Sequence, residues 1–285
     1  MEKPFEIFSL PFNNQVEQEL RRDYVRYLNW PLVYILRNDE KQCAYVGETT
    51  DVVTRMCTHY KSESKKDLEA VNIVISDYFN KSATLDVESN LIRYMSADGQ
   101  YQLLNANLGI ANHRYYNQRE VYWQLFKDIW NELITLGIAR HSLEHIDNSD
   151  LFKYSPYKSL TKEQISGLKL IIDCILNDDA KISLIKGGAG TGKSILAIFL
   201  FKLLLTDLSD FNYADFDDDD LEIFEKVRQI KDRYRDLKMA LVIPMSSFRA
   251  TIANVFRKVK GLSHKMVIGP SELVGNHYDI VIVDE

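Results

Sequence analysis

The stretch KISLIKGGAGTGKSILAIFLFKLLL, residues 181–205, joins an apolar run with strand character to a glycine-rich loop and an apolar helix candidate. Its GGAGTGKS segment fits the pattern G-x-x-x-x-G-K-[ST], in which backbone N–H groups turn toward a phosphate. Lys193 could then reach the β- and γ-phosphates, Ser194 could ligate Mg²⁺, and the following helix adds its positive dipole end. A chance glycine-rich turn is the alternative, but the preceding strand at residues 182–185 and the following helix argue against it. The expected nucleotide contacts are Gly187, Gly188, Ala189, Gly190, Thr191, Gly192, Lys193 and Ser194.

The composition is that of an ordinary globular chain. Its 285 residues suggest about two domains, with 46% hydrophobic and 27% charged residues. No apolar run is long enough to span a bilayer, and the first residues lack the layout of a signal peptide. Three widely spaced cysteines form neither a disulfide framework nor a zinc pattern, so we expect a cytoplasmic protein with reduced thiols. The net charge of −6 means that nucleic-acid binding would have to come from local basic patches.

Strand signals follow a short lead-in at residues 1–30. The apolar runs at residues 32–36 and 44–48 are separated by a polar turn and predict a β-hairpin. The run AVNIVIS at residues 70–76 predicts a third strand. These runs predict a small sheet in the first third of the chain.

Two helix candidates alternate with these strands. The first starts near Asp51 and carries Arg55 and His59 four residues apart, so that the two side chains share one face. The second covers residues 84–97 and carries Glu88 on or near its apolar stripe. A carboxylate in that position needs a partner or a metal ion.

Two tripeptides in the hairpin carry a family resemblance. VYI at residues 33–35 and YVG at residues 45–47 resemble the paired tripeptides of the GIY-YIG nuclease family. Arg55, within YVGETTDVVTRMCTH, stands where that family has its arginine. Val33 departs from the name of the motif, because it replaces the first glycine.

Later residues extend the same resemblance. Glu88 matches the metal-binding glutamate of the family, and Asn105 matches its late asparagine. The resemblance covers about residues 31–112 and is specific because the motifs come in order, with strands and helices in the expected places. It implies a small mixed α/β endonuclease domain at residues 31–116.

The residue types also suit phosphodiester hydrolysis, which needs a metal Lewis acid, a positioned cation and a base for water. Glu88 would hold one Mg²⁺ or Mn²⁺, and Arg55 would bind the scissile phosphate with its planar guanidinium group. Tyr34, Tyr45 and His59 are candidates for orienting or deprotonating the water. The resemblance favours Tyr45, with His59 next. The alternatives are that the tyrosines pack a small core and that Arg55 and Glu88 form a structural ion pair.

Residues 117–158 read as an amphipathic helix followed by a polar linker. Trp123 and Trp130 could stack on bases, but we interpret them as packing residues. His141 and His145 are four residues apart and could share a helical face as metal ligands. No carboxylate or cysteine pattern completes such a site, so we do not predict one.

Residues 159–285 predict a second unit that binds a nucleotide. The start of its first helix resembles the adenine-reading Q motif of superfamily 1 helicases, in which Gln164 would select ATP; LTKEQ is also an ordinary helix N-terminus. The final YDIVIVDE resembles a Walker B strand. By that resemblance Asp284 acts on the Mg²⁺ shell and Glu285 polarises the attacking water. The order of strand, loop, helix, strand, helix and strand predicts a doubly wound parallel sheet.

Two further segments of this unit have open interpretations. Residues 207–236 look like an insertion, made of DFDDDD at residues 215–220 and a charged helix at residues 221–235; we interpret the aspartates as a solvated loop rather than a cation site. A basic helix candidate follows the strand that ends near Pro244. In superfamily 1 helicases the corresponding segment contacts single-stranded nucleic acid, so Ser246, Ser247 and Arg249 could bind phosphates. An exposed amphipathic helix is the equal alternative.

The whole segment from Leu160 is similar to the viral-type superfamily 1 helicase core, and most similar to the Schlafen-like helicase group. Bacterial members of that group often carry a GIY-YIG nuclease ahead of the ATPase. The later motifs of the family and its second lobe do not follow Glu285 in this sequence. We therefore expect an incomplete RecA-like P-loop domain that binds ATP weakly and hydrolyses it poorly.

The patterns together predict a two-domain α/β enzyme. A metal-dependent endonuclease domain would cut nucleic acid, DNA in preference to RNA, under the control of an ATP-binding domain, in repair, restriction or phage defence. One alternative is a catalytically inactive nucleic-acid-binding module beside an ATP-binding switch. A signalling ATPase is another, and it would show no salt-sensitive binding of DNA or RNA.

Overall fold

A computed structural model of the chain describes residues 3–105, 118–157, 160–177, 182–206 and 218–284. These residues form two compact units, one extending to Asn148 and the other starting at Ser149. Within the described ranges, no helix combines the length and the apolar character needed to cross a membrane.

The first unit is built on a five-stranded mixed sheet with helices against it. Its elements in chain order are β1 (Glu6–Pro11), α1 (Val16–Asp23), β2 (Leu32–Asn38), β3 (Cys43–Thr49), α2 (Val52–Tyr60), β4 (Ala70–Ile75), α3 (Lys81–Asp98), β5 (Gln102–Leu103), α4 (Trp123–Thr135) and α5 (Leu143–Asp147). The strand order is β1-β4-β2-β3-β5. The β3–β5 pair is parallel, and the other three pairs are antiparallel. The predicted hairpin, the third strand and the helix starting after Asp51 are therefore confirmed.

Strand β2 lies at the centre of this sheet and is buried along almost its whole length. Because side chains alternate across a strand, Leu32, Tyr34 and Leu36 point to one face. They join a hydrophobic cluster with residues of β4 and α2 such as Ile73 and Met56. This packing holds the first tripeptide rigidly under the helix that carries Arg55 and His59.

The lead-in at residues 1–30 contributes to the sheet, which differs from its interpretation as a separate segment. Strand β1 pairs with β4 along its whole length, from Glu6 opposite Ile75 to Pro11 opposite Ala70. Val16 and Leu20 of α1 are buried in the same hydrophobic cluster as β2. The alternation in this stretch is too short and irregular to predict a strand without the partner that stabilises it.

Helix α4 also belongs to the first unit, although residues 117–158 were predicted to connect the two domains. Trp130 is fully buried and lies 5.8 Å, ring centroid to ring centroid, from Tyr94 of α3. Trp123 stacks on Phe126 at 5.4 Å. Both tryptophans therefore pack against neighbouring aromatic side chains, as predicted.

The second unit combines helices with a three-stranded parallel sheet. Its elements are α6 (Asp150–Lys153), α7 (Lys162–Leu176), α8 (Lys193–Leu205), α9 (Asp218–Arg233), β6 (Met239–Val242), α10 (Ser246–Lys258), β7 (Val267–Ile268) and β8 (Ile280–Val283). The strand order is β7-β6-β8, with both pairs parallel. Helix α8 carries apolar residues on all sides, and most of its residues are accordingly buried.

Two sequence predictions for this unit need correction. The predicted strand at residues 182–185 is not a strand, and the side chains of Ile182 and Leu184 are 92% and 78% exposed. Apolar, β-branched residues become a strand only when a neighbouring strand accepts their hydrogen bonds. The charged helix predicted at residues 221–235 is confirmed as α9, but it is not a peripheral insertion, because it buries Val227 and Ile230 in the core beside α7. The aspartates at 215–217 lie outside the described residues.

Candidate active site

Three aromatic rings and two cations meet on the β2–β3 hairpin. The Tyr34 hydroxyl lies 2.6 Å from Nε2 of His59, and Nε of Arg55 donates a hydrogen bond of 3.1 Å to the same hydroxyl. The Tyr45 ring centroid is 5.0 Å from that of His59 and 6.3 Å from that of Tyr34. The ammonium group of Lys65 lies 4.4 Å from the centroid of Tyr45. Four of the predicted residues therefore form one contiguous cluster.

The register of the hairpin explains why the second tripeptide contains glycine. Tyr34 on β2 lies directly opposite Gly47 on β3. A Cβ atom at Gly47 would lie 2.2 Å from the Tyr34 hydroxyl oxygen and 2.4 Å from its Cζ. Only a residue without a side chain lets the tyrosine ring cross the neighbouring strand at this point. Gly47 therefore creates the space in which the Tyr34 hydroxyl meets its partners.

Helix α2 supplies the other two polar groups because of its start and its period. The Asp51 side chain accepts a hydrogen bond from the Thr54 main-chain N–H and caps the helix, which places the first turn at Val52. Arg55 and His59 follow one turn apart on the same face. That face covers β2, where both side chains reach the Tyr34 hydroxyl.

The electrostatics keep both partners of this hydrogen bond neutral. Burial, together with the positive charges of Lys65 and Arg55, lowers the pKa of His59 to about 2. Burial also raises the pKa of Tyr34 well above its usual value, and Arg55 offsets part of that rise. Because Arg55 already donates to the Tyr34 oxygen, the hydroxyl proton is left to point at Nε2 of the neutral imidazole.

Two carboxylates lie in this part of the unit, one on α3 and one on β3. Asn80 caps the helix, and Glu88 lies two turns inside it, with only 7% of its surface exposed. Its negative charge is close enough to Tyr34 to raise the pKa of that hydroxyl. Glu48 of β3 is also buried, and its carboxylate accepts hydrogen bonds from Lys81 and from the Thr84 hydroxyl.

Glu88 is the carboxylate that the sequence predicts as a metal ligand, and Glu48 forms an ion pair with Lys81. Mg²⁺ and Mn²⁺ prefer oxygen ligands, and Mg²⁺ is commonly held by one or two carboxylates together with phosphate oxygens of the substrate. Among the residues that the structure describes, no cluster of three or more His, Cys, Asp or Glu side chains has the arrangement of a metal site. The carboxylate oxygens of Glu88 are ligands of the type that either cation accepts.

Asn105 lies against the main chain of β3 and takes no part in the hydrogen bonds of the Tyr34 hydroxyl. Its side-chain amide is buried; it accepts a 2.9 Å hydrogen bond from the Val46 N–H and donates a 2.7 Å bond to the Val46 carbonyl. Val46 lies between Tyr45 and Gly47 on β3. Asn105 therefore holds the second tripeptide in place from behind, which makes it a positioning residue in this structure.

His141 and His145 stack on each other with ring centroids 4.6 Å apart. His141 precedes the capping residue of α5, so the two do not share a helical face as metal ligands. Nδ1 of His141 lies 2.9 Å from the carboxylate of Asp98, which also accepts hydrogen bonds from the His141 and Arg140 main-chain N–H groups. This cluster fastens the end of α3 to the segment before α5.

The glycine-rich loop of the second unit leads directly into α8. Gly190 and Gly192 have φ angles of 77° and 85°, a region that favours glycine. Nζ of Lys193 donates to the carbonyl oxygens of Gly187 and Gly188 at 3.0 and 3.1 Å. The ammonium group thus lies inside the loop, and Ser194 begins the first turn of the helix.

Of the remaining predicted nucleotide residues, Asp284 lines a cavity of about 820 Å³ together with Lys193. Gln164 uses its side-chain oxygen for a capping box with the Thr161 N–H and its amide nitrogen for a 3.1 Å bond to the Thr191 carbonyl. The amide oxygen and the amide nitrogen of Gln164, which the Q-motif resemblance assigns to adenine, are therefore both bonded to protein groups. Glu285 lies outside the described residues.

Sequence reasoning did not single out Gly47, Glu48 or Lys65 as part of the site. The opposing positions of Tyr34 and Gly47 become visible only when the hairpin register is known. A carboxylate on an otherwise apolar strand was a signal for Glu48, and the basic run at residues 61–66 was a signal for Lys65. Neither signal shows that Glu48 pairs with Lys81, or that Lys65 is the residue of its run that approaches Tyr45.

Comparison with known proteins agrees with this geometry for one part of the chain. Residues 31–101 match the family model described as the GIY-YIG catalytic domain. No curated protein and no solved structure matches the chain. The matched segment contains both tripeptides, Arg55, His59 and Glu88, and its mixed sheet is consistent with that family. The chain therefore carries a GIY-YIG catalytic domain at residues 31–101, which identifies this part of it as a nuclease domain.

Proposed function

We propose that the first unit is an active, metal-dependent endonuclease in which Tyr34 and His59 relay the proton of the attacking water. The observation that carries this proposal is the Tyr34 hydroxyl held between Nε of Arg55 and Nε2 of His59. The geometry favours Tyr34 over Tyr45, the tyrosine preferred from the family resemblance, because Tyr34 makes the hydrogen bond to the imidazole.

The proton relay follows from the two neutral partners. Water attacks phosphorus while its proton passes to the Tyr34 oxygen, and the Tyr34 proton passes to Nε2 of His59. The bond from phosphorus to the leaving-group oxygen breaks in the same step, and that oxygen takes a proton from solvent. A free tyrosinate is avoided, which matters because burial raises the pKa of Tyr34. His59 is neutral and presents the Nε2 lone pair to the Tyr34 proton, and the negative charge of the bound phosphate offsets the burial and the positive charges of Lys65 and Arg55 that lower the pKa of the imidazole in the absence of substrate.

Arg55 has two roles in this proposal. In the absence of substrate its guanidinium group orients the Tyr34 hydroxyl. A phosphate is a stronger hydrogen-bond acceptor than a phenol, so the substrate draws Arg55 onto the non-bridging oxygens, where it stabilises the charge that develops in the transition state. This movement also opens the buried Tyr34 hydroxyl to water.

Glu88 would hold Mg²⁺ or Mn²⁺, which supplies Lewis-acid polarisation of the phosphoryl oxygen. The carboxylate is buried, and its charge is close enough to Tyr34 to act on that hydroxyl, which places a metal ligand near the reacting groups. The substrate is a nucleic acid, and we propose DNA. Repair, restriction and phage defence are all compatible roles.

Nicking of supercoiled plasmid tests the proposal. The wild-type chain, Glu88→Gln, Arg55→Lys and Tyr34→Phe are compared in Mg²⁺, in Mn²⁺ and in EDTA, with an RNA substrate alongside. We expect cleavage only with metal, and losses of roughly 10²–10⁴-fold for Tyr34→Phe. Lys162→Ala, at an exposed position of the second unit, is the control variant. A folded wild-type chain that binds DNA but cuts neither substrate would favour the alternative of an inactive binding module.

We further propose that residues 187–194 bind ATP. This proposal is supported by the left-handed glycines, by the position of the loop at the N-terminus of a long helix, and by the adjoining cavity that contacts Lys193 and Asp284. Binding would require Lys193 to leave the loop carbonyls for the phosphates. Gln164 would have to leave Thr191 before it could contact adenine.

Equilibrium dialysis with labelled ATP and Mg²⁺ tests this second proposal. Lys193→Ala should weaken binding by at least tenfold, whereas Lys162→Ala should leave it unchanged. Equal affinity of Lys193→Ala and the wild type would refute ATP binding at this loop. Cleavage by the first unit with and without ATP then shows whether the two activities are coupled.

A further inference from the structure

Glu48 connects two segments that carry reacting groups of the site. It follows Gly47, the position of β3 that lies opposite Tyr34 and that the tyrosine ring crosses. Because side chains alternate along a strand, Glu48 points to the face of β3 opposite to that of Tyr45, where α3 packs. The Glu48 side chain is only 4% exposed there. A buried carboxylate therefore lies between the second tripeptide and the helix that carries Glu88.

Each oxygen of the Glu48 carboxylate is bound by a different residue at the start of α3. Nζ of Lys81, the first residue of the helix, donates to Oε1. The Thr84 hydroxyl donates a 3.1 Å hydrogen bond to Oε2. Hydrogen bonds have preferred directions, whereas apolar contacts do not, so these two bonds fix how α3 is rotated and how far along β3 it lies.

Thr84 connects this contact to Glu88. The two residues are one helical turn apart, and both belong to the buried face of α3. The Thr84 hydroxyl also lies 3.0 Å from the Lys81 carbonyl oxygen, which ties the first turn together. Glu88 is close enough to Tyr34 for its charge to act on that hydroxyl. A rotation or a shift of α3 on β3 would therefore change the separation of Glu88 and Tyr34.

We propose that Glu48 is a positioning residue of the nuclease site, whose carboxylate fixes α3 on β3 and thereby sets the separation of Glu88 from the Tyr34 hydroxyl. The inference rests on the proposed nuclease function and adds a residue that acts through Glu88. Stability alone does not explain the charge at position 48, because a buried ion pair can often be exchanged for apolar residues of similar volume without loss.

An apolar replacement of the pair separates positioning from stability. Glu48→Leu combined with Lys81→Met leaves no buried charge unpaired, and the Thr84 hydroxyl keeps the main-chain carbonyl of position 81 as its acceptor. Lys41→Met with Asp67→Asn removes an ion pair near the other end of β3 and is the matched control. Thr84→Val removes the hydroxyl, and Thr84→Ser keeps it. Urea unfolding gives the stability of each variant.

The Glu48→Leu/Lys81→Met chain should be at least as stable as the wild type, yet nick plasmid about 10²-fold more slowly, which is roughly the loss for a 1 Å misplacement. The loss should fall on kcat, with KM within about twofold of the wild type. Thr84→Val should lose part of the activity, and Thr84→Ser should retain most of it. The control pair should cut like the wild type.

DNA binding supplies a readout that does not depend on cleavage. On the Tyr34→Phe background, duplex affinity is measured in Mg²⁺ and in EDTA at equal ionic strength. The gain in affinity from Mg²⁺ should be at least about tenfold larger than in Glu88→Gln, and the Glu48→Leu/Lys81→Met chain should lose most of that difference.

A folded Glu48→Leu/Lys81→Met chain with wild-type kcat and the full Mg²⁺ gain would overturn the inference and leave the nuclease proposal intact. A loss of rate that only follows a loss of folded protein would also overturn it, because Glu48 would then act on stability alone. If Glu88→Gln changes neither cleavage nor the Mg²⁺ gain, the metal-dependent nuclease proposal fails, and this inference fails with it.

Discussion

Replacement of Gly47 by alanine tests whether the Tyr34 hydroxyl is the centre of the site. An added Cβ would lie 2.2 Å from the Tyr34 oxygen, 2.4 Å from Cζ and 2.9 Å from Cε2, whereas ordinary contacts begin at 3.4 Å. The hydroxyl must therefore retreat by roughly 1.2 Å. Tyr34 is fully buried between two strands and α2, so the ring cannot retreat without lengthening its bond to His59 or to Arg55.

The expected magnitudes follow from that displacement. Misplacing a reacting group by about 1 Å costs roughly 10²-fold in rate, and overpacking a core costs about 1–3 kcal/mol of stability. Gly47→Ala should therefore remain folded and lose about 10²-fold in single-turnover plasmid nicking, although it removes no polar atom. Gly167→Ala, where the nearest side-chain atom would be 3.8 Å away, is the matched control and should cut like the wild type.

A double-mutant cycle shows whether the alanine acts through Tyr34. If it does, Gly47→Ala combined with Tyr34→Phe should cut no more slowly than Tyr34→Phe alone, because the hydroxyl is already lost. Nicking by a folded Gly47→Ala variant within about threefold of the wild type would refute the reasoning. Additive losses in the double mutant would show that the alanine acts elsewhere.

Three further predictions concern stability, measured by urea unfolding. Because the pKa of His59 is about 2 when folded and about 6.5 when unfolded, only the unfolded state gains a proton as the pH falls below about 6.5, and stability decreases. The loss of unfolding free energy should grow gradually as the pH falls toward 2 and should amount to about 1.4 kcal/mol at about pH 5.5. It should be absent in His59→Gln, and an equal pH slope of stability in both chains would contradict the prediction. Asn105→Ala should cost about 2–3 kcal/mol, because the buried Val46 N–H and carbonyl lose their partner, and a loss below about 1 kcal/mol would contradict that role. Lys81→Met should cost about 2–3 kcal/mol by leaving the buried Glu48 carboxylate charged, and adding Glu48→Gln should restore most of it; no recovery in the double variant would show that the lysine acts through packing instead.

Local patterns predicted most of the first unit correctly. The hairpin at β2 and β3 and the helix after Asp51 follow from alternation, turn residues and a capping side chain, all of which act between near neighbours in sequence. Residues 182–185 show where such patterns fail: their apolar residues satisfy the strand pattern, yet no strand results, since strand formation depends on a pairing edge elsewhere in the chain.

The order of motifs in the sequence determined which residue types could carry the chemistry. Arg55, His59 and Glu88 were identifiable because helical spacing and the unusual placement of a carboxylate can be read along one element. Only the tertiary structure decided that the Tyr34 hydroxyl bonds to His59, and that the Asn105 amide bonds to both main-chain groups of Val46. Those contacts depend on register across strands and on helix-to-sheet packing. A shift of a strand by one residue would reverse the faces of its side chains while leaving the sequence pattern unchanged.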